Sequence, residues 1–175
     1  KLKGEEASSQ SDFIPKSSFV MSFFTDGQGF FWNTLTGRVT KRFALPSNII
    51  FSETPVVSPN GKAVAINSGR EVWIVEVAGN AKPYRLRALD NTVQEIQFSN
   101  AGNLLAVNYK EFTVIYQYVG NQYKRAVYLP YPIKNIFFTS DDDAIVGNLE
   151  DTRKDLIRRW PVHSQVSEDY KGKIC

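Results

Sequence analysis

The sequence predicts an all-β chain built from one repeated unit of short strands, and three periodic features predict it. Strands ending in a large aromatic recur: Phe30-Phe31-Trp32-Asn33, Val72-Trp73-Ile74, Val114-Ile115-Tyr116 and Ile157-Arg158-Arg159-Trp160. The successive steps from Trp32 to Trp73, Tyr116 and Trp160 are 41, 43 and 44 residues. A turn marker keeps the same time: Val57-Ser58-Pro59-Asn60-Gly61, Phe98-Ser99-Asn100-Ala101-Gly102, then Phe138-Thr139-Ser140-Asp141-Asp142. After each marker comes an apolar strand, Ala63–Ile66, Leu104–Val107 and Ala144–Val146. Before the later two, Val93, Ile96 and Phe98 answer to Ile133, Ile136 and Phe138, each pair 40 residues apart.

A period of about 40 to 45 residues with four strands per period is the signature of a β-propeller blade. One such blade cannot bury both faces by itself. It must pack on the blades before and after it, so its strands read as nearly continuous apolar runs. The expectation is a β-propeller segment over residues 14–163, taken up as follows. The first unit lacks its innermost strand and starts near Ser18. The second and third are complete, with the stretch from Pro46 to Pro59 the least regular. The fourth ends at Trp160-Pro161 without an outer strand. That makes ~14 strands, or about three and a half four-stranded blades, half of a seven-bladed ring.

Residues 1–13 are polar and Ser-rich and read as a flexible linker or a loop end. Residues 164–175 read as a C-terminal tail. The first residue is Lys rather than Met, which suggests a fragment, a processed product or a trimmed chain.

Composition narrows the function classes. Of 175 residues, 42% are hydrophobic, enough for a real core. The net charge of +3 is too small to argue by itself for a nucleic-acid or membrane surface. The single cysteine, Cys175, allows no intrachain disulfide and no thiolate cluster, which fits a cytoplasmic setting. No apolar run approaches the ~20 residues that span a bilayer. His163, the only histidine, has no nucleophile or triad partners, and there is no Gly-rich phosphate loop. Asp141-Asp142-Asp143 falls at a hairpin turn, where Asp is common for backbone reasons, and no further carboxylate gives calcium-loop spacing. No catalytic residue, metal site or cofactor is expected.

The blade-like units resemble the WD-repeat family. Thr25-Asp26-Gly27-Gln28-Gly29-Phe30-Phe31-Trp32-Asn33-Thr34-Leu35-Thr36-Gly37 looks like the end of such a repeat, and Phe98–Ala106 like its first hairpin. The likeness covers roughly residues 14–162. It departs from the family in two ways. The usual Gly-His pair is absent, and Trp-Asp is replaced by Trp32-Asn33, Trp73-Ile74, Tyr116-Gln117 and Trp160-Pro161. The family's buried His-Ser-Asp-Trp network is therefore incomplete. The tail from Arg158-Arg159-Trp160-Pro161-Val162-His163 to Lys173-Ile174-Cys175 is similar to the ends of propeller regions in bacterial multidomain signalling proteins, where the propeller follows an ATPase or a caspase-like protease. That resemblance implies a sensor that restrains an effector module until a trigger binds.

Seven cations are candidate partner contacts. Aligned on Leu45, Leu89 and Leu129, the outer strands carry Lys41, Arg85 and Arg125 four residues earlier, an expected basic band facing an acidic partner or a phosphate backbone. The plainer reading is edge protection. Arg70 and Lys110 sit in turns, and Arg153 and Lys154 in the expected longest loop. The aromatic strand ends read as inter-blade packing rather than a ligand cage.

The expected function is therefore a non-catalytic protein-protein interaction scaffold or sensor within a larger regulatory protein. The alternative is part of a propeller enzyme or nucleic-acid binder whose active surface lies in missing blades. An open stack leaves two blade faces in water. Its ring can be closed by a missing segment, by another chain, or by a second copy as a homodimer, and the first two are favoured.

Overall fold

The computed structural model describes residues 9–24, 26–46, 55–86, 89, 91–151 and 154–162. Among them are fifteen strands and no helix, arranged as four antiparallel sheets in chain order. The first sheet holds β1 (Ser9–Phe13), β2 (Phe19–Phe24), β3 (Gln28–Asn33) and β4 (Arg38–Ala44). The second holds β5 (Val56–Val57), β6 (Ala63–Asn67), β7 (Val72–Glu76) and β8 (Tyr84–Arg85). The third holds β9 (Val93–Phe98), β10 (Leu104–Tyr109), β11 (Thr113–Val119) and β12 (Gln122–Leu129). The fourth holds β13 (Lys134–Phe138), β14 (Ala144–Asp151) and β15 (Lys154–Pro161).

Every sheet opens its second strand with the same backbone bond. The N–H of Ile14, Ser58, Ser99 and Thr139 donates to the carbonyl of Phe19, Ala63, Leu104 and Ala144, at 2.9, 2.9, 3.0 and 2.9 Å. In the last three sheets the turn closes through a residue at positive φ, Gly61, Gly102 or Asp142, a conformation that favours Gly and admits Asp. The turn marker of the sequence is thus a true structural repeat.

That bond gives a common ladder numbering and corrects three sequence expectations. First, the first sheet is complete: β1 pairs with β2 from Ser9↔Phe24 to Phe13↔Val20, so residues 9–13 are a strand rather than a linker. Polar Ser9, Gln10, Ser11 and Asp12 hid it from a hydrophobicity reading. Second, Val20, Val64, Leu105 and Ile145 are equivalent, and opposite them stand Trp32, Val75, Tyr116 and Trp160. Trp73 lies two residues earlier, opposite Ile66. A shift of two leaves a side chain on the same face, so the false register kept an apparently regular pattern. Third, the longer span before Trp160 is no long loop. It extends the hairpin, with β14 and β15 eight residues each and paired out to Asp151↔Lys154.

Three apolar clusters stack the sheets. Met21, Phe31 and Phe43 of the first join Val64, Ile66 and Val75 of the second. Ala63, Ala65 and Ile74 of the second join Leu105, Val107 and Tyr116 of the third. Leu104, Ala106 and Ile115 of the third join Ile145 and Trp160 of the fourth. Successive residues of β6 and β10 therefore face opposite neighbours, and both strands are buried along their whole length, as strands covered on two sides must be.

Candidate interaction surface

The sequence candidates do not gather at one place. The ladder splits the expected basic band. Lys41 lies opposite Phe31, Arg85 opposite Trp73 and Arg125 opposite Tyr116. These are three different ladder positions. The cause is that the aligned leucines are not equivalent: Leu129 lies opposite Thr113, and the matching residues of the first and second sheets are Phe43, opposite Gly29, and Leu86, bonded to the Val72 carbonyl. The register equivalent of Arg85 is Arg42, opposite Phe30.

Their environments differ accordingly. Lys41 turns toward the second sheet and donates to the Glu76 carbonyl at 2.6 Å. Burial holds its ammonium below the usual lysine value, and the Glu76 charge works the other way. Arg85 pairs with Glu71, which also accepts from the Trp73 indole at 3.1 Å. Arg125 is exposed on β12. Arg70 and Lys110 are exposed in the β6–β7 and β10–β11 turns. Arg153 lies outside the described residues, and Lys154 starts β15. Of the seven, Lys41 alone borders the open groove of about 770 Å³ between β4 and Asn80–Pro83, beside Arg42, Lys82 and Trp73.

Asp141, Asp142 and Asp143 serve the backbone. Asp142 accepts from the N–H groups of Asn100 and Ala101, both at 2.8 Å. The Thr139 hydroxyl and the Asp143 N–H hold the Asp141 carboxyl below the usual carboxylate range. Among the described residues, no group of three His, Cys, Asp or Glu stands together as a metal would need.

The outer face of the first sheet gathers a cluster of aromatics. Trp32, Tyr116 and Trp160 are equivalent. Tyr116 packs toward the second sheet and Trp160 toward the third, each the preceding one. Trp32 points the same way, where no described sheet stands. Around it on that face lie Val20, Phe24, Phe30 and Phe13, the last 74% exposed. Phe24 meets Phe30 edge-on at 5.6 Å, Phe30 tilts against Trp32 at 6.1 Å, and the Arg42 guanidinium sits 5.0 Å over Phe30. The Trp32 Nε1 is buried beneath this cluster with no hydrogen-bond acceptor among the described residues, which is uncommon for a buried indole.

The opposite end breaks the pattern. The position held by Phe31, Ile74 and Ile115, all buried, is Arg159 in the fourth sheet. Beside it Phe137 and Ile157 are 65% and 73% exposed.

One repeated residue escaped the sequence reading. Asn67, Asn108 and Asn148 each stand nine residues after the turn marker. Asn108 is buried, and its side-chain oxygen accepts from the Thr113 hydroxyl and from the N–H of Ile133, just ahead of the fourth sheet, at 3.1 and 3.0 Å. Its period was visible in the sequence. A polar residue inside an apolar strand simply did not register as part of the repeat.

No protein-family model matches the chain, and no curated protein matches it either.

Proposed function

We propose that this chain is a non-catalytic protein-interaction module, an open segment of a WD-repeat-type β-propeller that acts as scaffold or sensor by docking further β-sheets on its end face. The observation that carries this reading is Trp32. It occupies the ladder position that Tyr116 and Trp160 use to pack on a preceding sheet, on a face of Val20, Phe13, Phe24 and Phe30. A contiguous aromatic patch of this kind is how protein-docking surfaces differ from ordinary surface.

The reading separates Trp32 from Trp160. Trp160 is only 9% exposed inside the stack, so Trp160→Glu should abolish folding or cost more than about 4 kcal/mol. Trp32→Glu in the dilute chain should cost about 1 kcal/mol or less, because no described sheet packs on it. Thermal unfolding followed by circular dichroism reads both. A Trp32→Glu protein as unstable as Trp160→Glu would make the aromatic face part of the chain's own core and remove the docking reading.

A further inference from the structure

We propose that the fourth sheet of one copy of this chain docks on the first sheet of a second copy, so that two copies close head to tail into one ring of eight sheets. The proposal rests on the reading of the chain as an open stack and names the occupant of its end face.

The two outer faces are the two halves of a joint the chain already makes three times. Each internal joint brings the position of Val20, Val64, Leu105 and Ile145, with its ladder partner, against the position of Met21, Ala65, Ala106 and Val146 in the sheet before. Size alternates across it. Small Ala65 and Ala106 share a cluster with large Tyr116 and Trp160, and large Met21 shares one with small Val75. Trp32 therefore calls for a small residue opposite. The fourth sheet offers Val146, half-buried on its outer face.

The fourth-sheet face also carries an unused fastening. Asn108 holds the N–H ahead of the following sheet. Asn148, its equivalent, lies on the outer face and its side chain bonds to no described residue. It is placed to accept from the second copy. Arg159, directly opposite Val146, would lay its guanidinium on the Trp32 indole, a favoured cation–aromatic contact. Phe137 and Ile157 would lose their exposure to water in the same joint.

Area argues for two joints rather than one. A face of three to four strands, about 4.8 Å apart and about 20 Å long, covers about 300 to 400 Å². One joint then buries on the order of 700 Å², the size of a lattice contact, whereas two bury about 1,400 Å², within the range of stable complexes. Head-to-tail closure of two copies gives two joints under one two-fold axis.

The test is native mass spectrometry and sedimentation velocity of the whole chain and its variants. The wild-type chain is expected at twice 19.8 kDa. Trp32→Glu on the first-sheet face and Ile157→Glu on the fourth-sheet face should each run at the single mass. Phe13→Glu repeats the first-face test at a side chain too exposed to matter for folding. A wild-type chain that stays at the single mass while Trp32→Glu remains folded overturns the second-copy proposal and leaves the docking reading standing. Dissociation by Trp32→Glu but not by Ile157→Glu shows the first sheets pairing with each other and overturns the head-to-tail joint.

Discussion

Asp142 accepts two hydrogen bonds from Asn100, one from its backbone N–H at 2.8 Å and one from its side-chain amide at 2.9 Å, although the two residues are 42 positions apart. A third comes from the Ala101 N–H. The carboxylate thus ties the fourth sheet's turn to the third's, as Asn60 ties the second's to the third's through the Ala101 carbonyl at 2.9 Å. Asp142 is 7% exposed, so its loss leaves two backbone donors with little water to replace it. Asp142→Ala should cost about 2–4 kcal/mol, given the worth of hydrogen bonds to a charged acceptor. It also places a Cβ-bearing residue without a polar side chain at positive φ. Asp142→Asn keeps one acceptor oxygen and tolerates that backbone, and should cost about half as much. Urea unfolding of the two variants compares them directly.

Asn108 is the second fastening between the third and fourth sheets. It is 1% exposed and receives both the Thr113 hydroxyl and the Ile133 N–H. Asn108→Ala removes that acceptor inside a strand that is buried throughout. The Ile133 N–H keeps a bond to the Thr113 hydroxyl at 3.0 Å, so the loss should stay near 2 kcal/mol rather than reach that of an orphaned donor. Amide hydrogen exchange offers a local readout. Protection of Ile133 and Ile136 should fall, while that of Val64 and Ile74 in the second sheet should not. Equal loss in both sheets would show that the tie is not local.

The same residues show how far the sequence could be read. The all-β class, the turn marker and the apolar strands after it were legible because they rest on local chemistry, namely turn residues and runs of aliphatic side chains. Frame was not legible. Separating Trp73 from Tyr116, and Lys41 from Arg85, required knowing where each hairpin turns, and no residue type marks that. β1 was missed because Ser9, Gln10, Ser11 and Asp12 form a strand through backbone pairing with β2 alone, without an apolar face of their own. The outer face of the first sheet centres on Trp32, an aromatic strand end whose residue type reads as inter-blade packing, and gathers Phe13, Phe24 and Phe30 around it. Only the ladder shows that the sheet they would pack against is missing from the described chain.

Alkaline pH should unfold this protein before most of its tyrosines ionise. Burial pushes the Tyr84 hydroxyl up to about 12, and raises Tyr109, Tyr116, Tyr118 and Tyr123 as well. A tyrosine whose folded pKa lies above its unfolded value near 10 keeps its proton longer in the native state. Its contribution to stability is whole below about pH 10 and is lost as the pH rises toward the folded value. Lys41 has the opposite sign. Its pKa is lowered by burial, so the native state gains from deprotonation just below the usual lysine value. One lysine against five tyrosines leaves the net slope downward above pH 10. Most of the tyrosinate absorbance should rise late and together with the loss of the β-sheet signal. Absorbance accounting for all eight tyrosines near pH 10 with the sheets intact would contradict the buried positions of Tyr109 and Tyr123.

Gly29 is required by a neighbour rather than by its own backbone. It lies opposite Phe43 in the β3–β4 ladder, and a Cβ there would enter the Phe43 ring. That ring cannot easily retreat. It is 7% exposed, stacks on Phe23 at 5.9 Å and tilts against Phe31 at 5.5 Å, in the cluster that joins the first sheet to the second. Gly29→Ala should therefore cost about 2–3 kcal/mol through overpacking. Gly37 gives the contrast. It has φ of 65° and nothing within reach of an added Cβ, so Gly37→Ala should lose only about 1 kcal/mol, from backbone strain. The two causes part in a double-mutant cycle. Phe43→Leu makes room at Gly29 and should recover part of the Gly29→Ala loss, giving a coupling of about 1 kcal/mol or more. The same change should leave the Gly37→Ala cost as it was. A cycle with no coupling at Gly29 would mean that the glycine serves the strand's backbone, and that Phe43 is not what excludes a side chain there.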